Sequence, residues 1–143
     1  MTLDETRKLL LEKSLKLTHQ RIVIADYLVH TQDHPTADEV YEAVKGRLPA
    51  CSKATVYNTL NTLIDAGIVC AMSSEPGKTR YDANMSRHHH FIDTRTGAIH
   101  DIPWERVNQL CESLGSDYLI QDYQINFYGF IYGEGGEPKK PAP

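Results

Sequence analysis

The sequence is poor in cysteine and lacks any long apolar run. Its 143 residues include three cysteines, Cys51, Cys70 and Cys111, and none of them belongs to a Cys-x-x-Cys pair. An odd number of widely spaced cysteines is typical of reduced thiols and gives neither a disulfide framework nor a thiolate metal site. No apolar stretch reaches the roughly 18 residues of a membrane span, and the start lacks the basic end and apolar core of a signal peptide. We therefore expect a cytoplasmic protein with no membrane partner.

An excess of positive charge is also lacking. The formal net charge is −4, but residues 1–80 carry ten basic and ten acidic side chains, whereas residues 81–143 carry five and nine. A neutral first half can still bind DNA if it presents a local basic patch. The hydrophobic content of 41% is enough for the core of one mid-sized domain or two small ones.

The first half predicts four helices joined by short turns. The first lies in "LDETRKLLLEKSL", and the second, in "THQRIVIADYLVHT", is capped by Thr18. Thr36 and Glu39 form a capping box at the start of the third, and Gly67 ends the fourth, "SKATVYNTLNTLIDAG". The predicted buried positions are Ile22, Ala25, Leu28 and Val29 on the second helix, Val40, Ala43 and Val44 on the third, and Val56, Leu60, Leu63 and Ile64 on the fourth.

The segment after the fourth helix predicts a β-hairpin. "IVCAMSS" and "TRYDAN" are two short strands joined by the turn "EPGK", and helices followed by a hairpin indicate a winged helix-turn-helix domain over residues 1–81. Lys53, Tyr57 and Asn61 share a face of the fourth helix, beside Asn58, and their side chains suit phosphates and base edges. The alternative is an ordinary solvated helix face. We predict that these four residues and Arg21 bind DNA.

The second half predicts a small α/β domain over residues 87–133, after a hinge at 82–86 and before a disordered tail at 134–143. "HHHFID", "AIHDI" and "DYQINFYGFIY" are predicted strands, and the helix "WERVNQLCESLG" has Trp104, Val107, Leu110, Cys111 and Leu114 on its buried side. The last strand is apolar on both faces, with Ile125, Phe127 and Ile131 on one and Tyr128, Phe130 and Tyr132 on the other. We predict that one face packs on the helix and the other on a second subunit.

Histidines and aspartates suggest a metal site. On a strand His88 and His90 share a face while His89 points away. Asp82 and Asp101 are expected on neighbouring strands, and His34 precedes the third helix. Imidazoles with carboxylates suit Fe²⁺, Mn²⁺ or Zn²⁺. The alternatives are surface histidines without a metal, a non-haem iron enzyme with a two-His, one-carboxylate site, and a metal-storage or zinc-sensing protein.

The chain resembles the ferric uptake regulator superfamily over about residues 5–132. The resemblance lies in "LTHQR", "HPTADEVYEAV", "SKATVYNTLNTL", "AGIV", "TRYD", the His-x-His of "HHH" and "GAIHDI". Within it, the chain is most similar to the peroxide-sensing repressors, whose three His and two Asp ligands fall on His34, Asp82, His88, His90 and Asp101. In the iron-sensing branch the last ligand is usually Glu.

This resemblance implies a function. The expected protein is an α+β, homodimeric repressor of double-stranded operator DNA and not an enzyme, with an N-terminal winged helix-turn-helix domain and a small α/β dimerisation domain. Fe²⁺ or Mn²⁺ would join the two domains and so set the spacing of the recognition helices. In the peroxide-sensing relatives H₂O₂ oxidises ligand histidines, which by position are His34 and His88 here.

Two departures from the family pattern are visible. The structural zinc site of most relatives uses two Cys-x-x-Cys pairs, and this chain has Asp93, Thr96, Ile131 and Glu134 at those places, so no structural zinc is expected. His19 replaces the usual proline of "LTHQR". Because His89 makes "HHH" resemble the regulators that respond to haem, an iron- or haem-status regulator is the alternative function, and Cys51, before the recognition helix, is the competing oxidation site.

Overall fold

The fold has a helical first part with a β-hairpin and a second part built on a three-stranded sheet. The computed structural model describes residues 1–75 and 77–132. The chain divides into two units, Met1–Met85 and Ser86–Pro143, and the division falls within the segment predicted as the hinge. The predicted α+β class, with a winged helix-turn-helix unit first, is confirmed. Among the helices described, none is both long and apolar enough for a membrane span.

Each helix of the first unit begins at a serine or threonine that caps it. The helices are α1 (Leu3–Glu12), α2 (His19–His30), α3 (Ala37–Val44) and α4 (Lys53–Asp65), and their caps are Thr2, Thr18, Thr36 and Ser52. A hydroxyl in this position accepts a backbone N–H that the helix itself leaves unpaired. The predicted end of α4 is also confirmed, because Gly67 has a φ of 72° and its N–H bonds the Ile64 carbonyl.

One apolar cluster forms the core of the first unit, and it differs in places from the predicted stripes. On α2, Val23 and Ile24 are fully buried, whereas Ile22 and Val29 are half-buried. The helix contacts α1, α3 and α4, so its buried face is broader than a single stripe. Ala43 on α3 was also predicted to be buried and is exposed, because it lines an open groove beside Arg47.

The predicted hairpin is present as β1 (Cys70–Glu75) and β2 (Lys78–Asp82). The strands pair antiparallel, with Cys70 opposite Asp82. Within the predicted turn "EPGK", Pro76 lies outside the described residues. The β2 strand includes Asp82, one residue beyond the predicted end of the first domain at 81. It also joins the start of α3, since the Tyr81 N–H bonds the Pro35 carbonyl at 2.9 Å.

The second unit contains a sheet in the order β4-β3-β5. Its elements are β3 (His88–Asp93), β4 (Ile99–Pro103), a 3₁₀ turn (Trp104–Val107), α5 (Asn108–Leu114) and β5 (Asn126–Gly129). β4 is antiparallel to β3, whereas β5 is parallel to it. A parallel neighbour requires a crossover, and the segment with the 3₁₀ turn and α5 provides it. The predicted last strand, "DYQINFYGFIY", is shortened to the four residues of β5. The predicted tail at 134–143 lies outside the described residues.

Several large apolar side chains of the second unit are exposed. The prediction that Leu110 and Leu114 are buried is wrong for the single chain, where they are 51% and 42% exposed. Cys111 was also predicted to be buried, but its side chain lies outside the described part of the structure. On and after β5, four aromatic side chains are also exposed, namely Phe127, Tyr128, Phe130 and Tyr132. The helical pattern identified an apolar face correctly, but a pattern cannot tell whether the same chain covers that face.

Candidate metal centre and nucleic-acid interface

Two histidines and an aspartate converge on one face of the β3–β4 pair. His90 lies directly opposite Asp101 in the antiparallel register, and His88 lies two residues before His90. The Nε2 atoms of His88 and His90 are 3.0 Å apart, and they lie 3.4 and 3.6 Å from the Asp101 Oδ1 atom. The prediction that His88 and His90 share a face is confirmed. Three donor atoms of the types that bind divalent metals thus meet at one point.

Hydrogen bonding prepares His88 to act as a ligand. Its Nδ1 atom lies 2.6 Å from the Ser86 carbonyl oxygen, which can only accept, so Nδ1 donates its proton. In the neutral ring the lone pair is then on Nε2, which faces His90 and Asp101. A carbonyl partner on the far nitrogen is the usual way in which proteins orient a metal-binding imidazole. His88 and His90 are both buried, so their rings are held in place by packing.

The first unit contains a second group, formed by His34 and Asp82. The His34 Nε2 atom lies 3.3 Å from the Asp82 Oδ2 atom, and both side chains are buried. The other oxygen of Asp82 accepts the Asn84 N–H at 2.8 Å. The prediction that Asp82 and Asp101 occupy neighbouring strands is wrong, because β2 pairs with β1 and β4 pairs with β3 in separate sheets. Of the five predicted ligands, His34 and Asp82 belong to the first unit and His88, His90 and Asp101 to the second.

His89 points to the other face of β3, as predicted, and holds the crossover in place. Its ring stacks on Trp104 and Tyr123, with centroid distances of 4.6 and 5.3 Å, and these two rings also contact each other at 4.3 Å. Its Nδ1 atom accepts the Ile125 N–H at 3.0 Å, so a neutral ring carries its proton on Nε2. Burial lowers the pKa of His89, and the neighbouring imidazoles of the same strand lower it further. This histidine therefore stabilises the attachment of the β5 segment as a neutral side chain.

The DNA-reading face predicted on α4 is exposed. Lys53, Tyr57, Asn58 and Asn61 all face solvent, and Tyr57 is 47% exposed. The Lys53 Nζ atom lies 3.6 Å from Asp38 Oδ1 at the start of α3, which keeps the ammonium group near the beginning of the helix. The fifth predicted residue, Arg21, lies on α2, where its guanidinium donates to the Lys16 carbonyl at 3.0 Å. The structure thus brings four of the five residues together and places Arg21 on another helix.

Residues 12–128 match the sequence profile described as the ferric uptake regulator family. The chain belongs to this family. It is 33% identical over 130 residues to the peroxide-responsive repressor PerR of Staphylococcus epidermidis, over 89% of this chain and 86% of the relative. Its fold is similar to that of a zinc-bound manganese uptake regulator, with 30% identity, a TM-score of 0.75 and coverage of 92% and 99%. The ferric uptake regulator Fur of Helicobacter pylori has a TM-score of 0.77 at 19% identity, with coverage of 92% and 93%.

In this member of the ferric uptake regulator family, Asp93 occupies one of the four positions expected for structural-zinc cysteines. Asp93 is buried, and its Oδ1 atom accepts the N–H groups of Arg95 and Thr96 at 2.9 and 3.4 Å. The Arg95 N–H is the main cause that lowers the pKa of Asp93. A carboxylate thus closes the β3–β4 turn. Of the remaining positions, Ile131 is half-buried, and Glu134 lies outside the described residues.

Sequence reasoning missed one residue that contacts the second group, that of His34 and Asp82. Arg80 is buried, and its Nη1 atom donates to the His34 carbonyl at 3.1 Å. The motif "TRYD" contains Arg80 two residues before Asp82, and residues at this spacing share a face of a strand. The sequence therefore indicated that Arg80 and the predicted metal ligand Asp82 lie on the same face of the strand.

Proposed function

We propose that this protein is a metal-dependent transcriptional repressor that senses peroxide through a bound Fe²⁺ or Mn²⁺ ion. The observation that carries this proposal is the convergence of the His88 and His90 Nε2 atoms on Asp101. Family membership supports a metal-responsive regulator in general terms. The finer assignment is supported by the 33% identity to a protein named as a peroxide-responsive repressor.

The donor atoms fit such an ion. Imidazole nitrogens and carboxylate oxygens suit Fe²⁺, Mn²⁺ and Zn²⁺, whereas the thiolates that favour softer ions are absent from both described groups. We propose that a single ion takes ligands from both groups, which are His34 and Asp82 in the first unit and His88, His90 and Asp101 in the second. The two carboxylates would balance the charge of a divalent cation. An ion with ligands from both units, on either side of the proposed hinge at 82–86, would couple its own binding to the DNA affinity of the first unit.

A metal-status regulator is the alternative function. It is supported by the likeness to a manganese uptake regulator with zinc bound. In that case metal supply, and not oxidation, would change DNA binding. A non-haem iron enzyme with the His88, His90 and Asp101 set is a weaker candidate, since the members of the family are transcriptional regulators.

Metal dependence of DNA binding tests the proposal. An operator duplex can be selected from random double-stranded DNA with the Mn²⁺-loaded protein, and its affinity is then measured with Mn²⁺ and after chelation. We expect at least about tenfold tighter binding with the metal, the size of a typical coupling between two sites. Equal affinity in both conditions would contradict the coupling.

We also propose that the protein acts as a homodimer held by packing. On and after β5, the side chains of Phe127, Tyr128, Phe130 and Tyr132 are exposed, and the alternation of the sequence predicts that the last three share a face. Large apolar side chains exposed together on one face are typical of a protein interface. A twofold dimer would present two copies of α4 to half-sites roughly 34 Å apart on the DNA. Packing of aromatic side chains would hold such a dimer without a structural zinc.

Substitutions on α4 should weaken DNA binding without affecting the metal. For Lys53→Ala and Tyr57→Ala we expect at least about fivefold weaker operator binding, because each removes a side chain suited to phosphate or base contacts. Lys53→Ala should also reduce the salt dependence by about one phosphate contact. The measurement is operator binding by fluorescence anisotropy at several salt concentrations.

Lys45→Ala is the matched control for these substitutions. Lys45 is an exposed lysine of the same unit, paired with Glu42 at the end of α3, so its loss changes the net charge equally. We expect Lys45→Ala to bind the operator like the wild type. If Lys53→Ala and Tyr57→Ala also did so, α4 would not be the helix that reads the DNA.

A further inference from the structure

We propose that Arg80 is a positioning residue for the metal ligand His34. Its guanidinium holds the His34 backbone in the conformation that directs the imidazole to Asp82. This inference rests on the proposed metal-binding function.

The backbone of His34 requires such support. Its φ of 50° lies in the left-handed region, which residues other than glycine adopt uncommonly. The next residue is Pro35, and the ring of a proline pushes the preceding residue towards extended conformations. Two steric effects therefore oppose the observed conformation of His34. A conformation of this kind persists only when surrounding contacts impose it, and such residues cluster at functional sites.

The β2 strand supplies those contacts. The Arg80 Nη1 atom donates to the His34 carbonyl at 3.1 Å, and the Tyr81 N–H bonds the Pro35 carbonyl at 2.9 Å. Thr36, the next residue, forms an isolated β-bridge with Arg80. The backbone of residues 34–36 is thus held against β2 by the Arg80 side chain at His34 and by one backbone pairing at Pro35 and Thr36. Of these contacts, only the bond to His34 comes from a side chain, so it can be removed by substitution.

The same strand delivers the carboxylate. Asp82 lies two residues after Arg80, and its Oδ2 atom is 3.3 Å from the His34 Nε2 atom. Arg80 fixes the main chain of His34, while Asp82 meets its ring. Two residues of β2 therefore contact both the backbone and the imidazole ring of His34.

Burying Arg80 in this environment lowers the stability of the fold, which argues that the side chain has a specific role. The side chain is 9% exposed, and the Glu39 Oε2 atom that faces its guanidinium lies 3.7 Å away. Its Nε atom is buried and has no hydrogen-bonding partner within residues 1–75 and 77–132. A buried donor without a partner destabilises a fold. An apolar side chain at this position has no polar group to leave unpaired, but it could not donate to the His34 carbonyl.

Electrostatics and positioning predict opposite signs for the loss of Arg80. A fixed positive charge repels a cation bound nearby, so neutralising it should strengthen metal binding if charge were its only contribution. If Arg80 positions His34, the same substitution should weaken metal binding. The sign of the change therefore separates the two roles.

The test compares Mn²⁺ affinity in full-length variants by calorimetry. We expect Arg80→Gln to bind Mn²⁺ at least about tenfold more weakly, the effect of losing a residue that orients a metal ligand. Arg80→Lys should fall between Arg80→Gln and the wild type, because lysine can still donate. Arg47→Gln is the matched control, since Arg47 in the same unit faces Asp26 at 3.8 Å, and it should bind like the wild type.

A double-mutant cycle shows whether Arg80 acts through His34. In a His34→Ala background, Arg80→Gln should cause no further loss of Mn²⁺ affinity. With Zn²⁺ as a diamagnetic probe, the imidazole nitrogen signals of His88 and His90 should still shift in Arg80→Gln, whereas the His34 signal should not. Equal or tighter Mn²⁺ binding by Arg80→Gln, or an undiminished loss in the His34→Ala background, would overturn the inference.

A metal-free measurement separates this inference from the proposed function. In the apo protein, Arg80→Gln should change the backbone amide shifts of residues 34 and 36 and speed hydrogen exchange at the Tyr81 amide. Absence of both changes would overturn the inference even if the wild type binds metal. A wild type that binds no metal would instead defeat the proposed function. If circular dichroism shows that Arg80→Gln is unfolded, Arg80→Lys takes its place in each comparison.

Discussion

His90→Ala is expected to abolish the metal-dependent gain in DNA affinity. His90 is central to its group, because its Nε2 atom lies 3.0 Å from that of His88 and 3.6 Å from the Asp101 carboxylate. Only 1% of its surface is exposed, so no other side chain can easily replace it. Loss of residues that merely orient a ligand lowers metal affinity about 10–100-fold. Loss of the ligand itself should lower Mn²⁺ affinity by more than about 100-fold.

The measurement combines calorimetry with operator binding. His100→Ala is the matched control, since His100 lies on β4 beside Asp101 but is exposed and opposite Phe91. We expect the control to keep the wild-type response to Mn²⁺, and His90→Ala to keep the affinity of the metal-free wild type for DNA. A His90→Ala variant whose operator affinity still rises with Mn²⁺ would show that His90 is not a ligand of the regulatory ion.

The second large effect is expected from peroxide. We predict that H₂O₂ adds a single oxygen atom to the peptide that contains His34 or to the one that contains His88, and that the protein then leaves the operator. When bound, Fe²⁺ would activate H₂O₂ beside the ring. Overall, an imidazole C–H becomes C–OH: the ring supplies the two electrons that reduce the peroxide, one peroxide oxygen is added to the ring, and the other oxygen leaves as water. Both rings are buried, so a reactive species formed beside them reaches them before it reaches solvent.

Peptide mass spectrometry of the Fe²⁺ and Mn²⁺ forms checks this prediction. The Mn²⁺ form should resist oxidation, because Mn²⁺ gives up an electron less readily. The competing site is Cys51, which is half-buried and directly precedes the cap of α4. Oxygen on Cys51 with both histidine peptides unmodified would favour a thiol switch. A protein that leaves the operator on metal depletion, but that H₂O₂ neither oxidises nor releases, would favour the metal-status regulator.

Local signals in the sequence were enough to predict most of the first unit. The capping hydroxyls, the box formed by Thr36 and Glu39, and Gly67 each act within a few residues, so they can be recognised in one dimension. Alternation on a strand likewise predicted that His88 and His90 face together. The exposure of Ala43 could not be predicted, because it depends on the groove that neighbouring elements leave open beside α3 and not on the pattern of that helix alone.

Long-range features of the second unit were harder to predict. Nothing in a strand pattern reveals that β5 pairs parallel to β3, since that choice depends on the path of the crossover. The stack of His89 on Trp104 and Tyr123 joins residues far apart in the chain. The contact of Arg80 with His34 spans 46 positions. It also depends on the left-handed backbone of His34, which the residue types in this segment did not predict. Family resemblance supplied the ligand set, but it did not supply these supporting contacts.

The stacked ring of His89 also decides how the histidine run is aligned. Three identical side chains in a row specify the register of β3 only weakly. A shift by one residue would exchange the two faces of the strand but would still place histidines on both. After such a slip, a single imidazole would face Asp101 and two would face the aromatic side. In the observed register, one imidazole stacks on the paired rings of Trp104 and Tyr123, and the Ile125 N–H bonds to that imidazole. These contacts therefore favour one register for an otherwise ambiguous sequence, and in that register two histidines, His88 and His90, face Asp101.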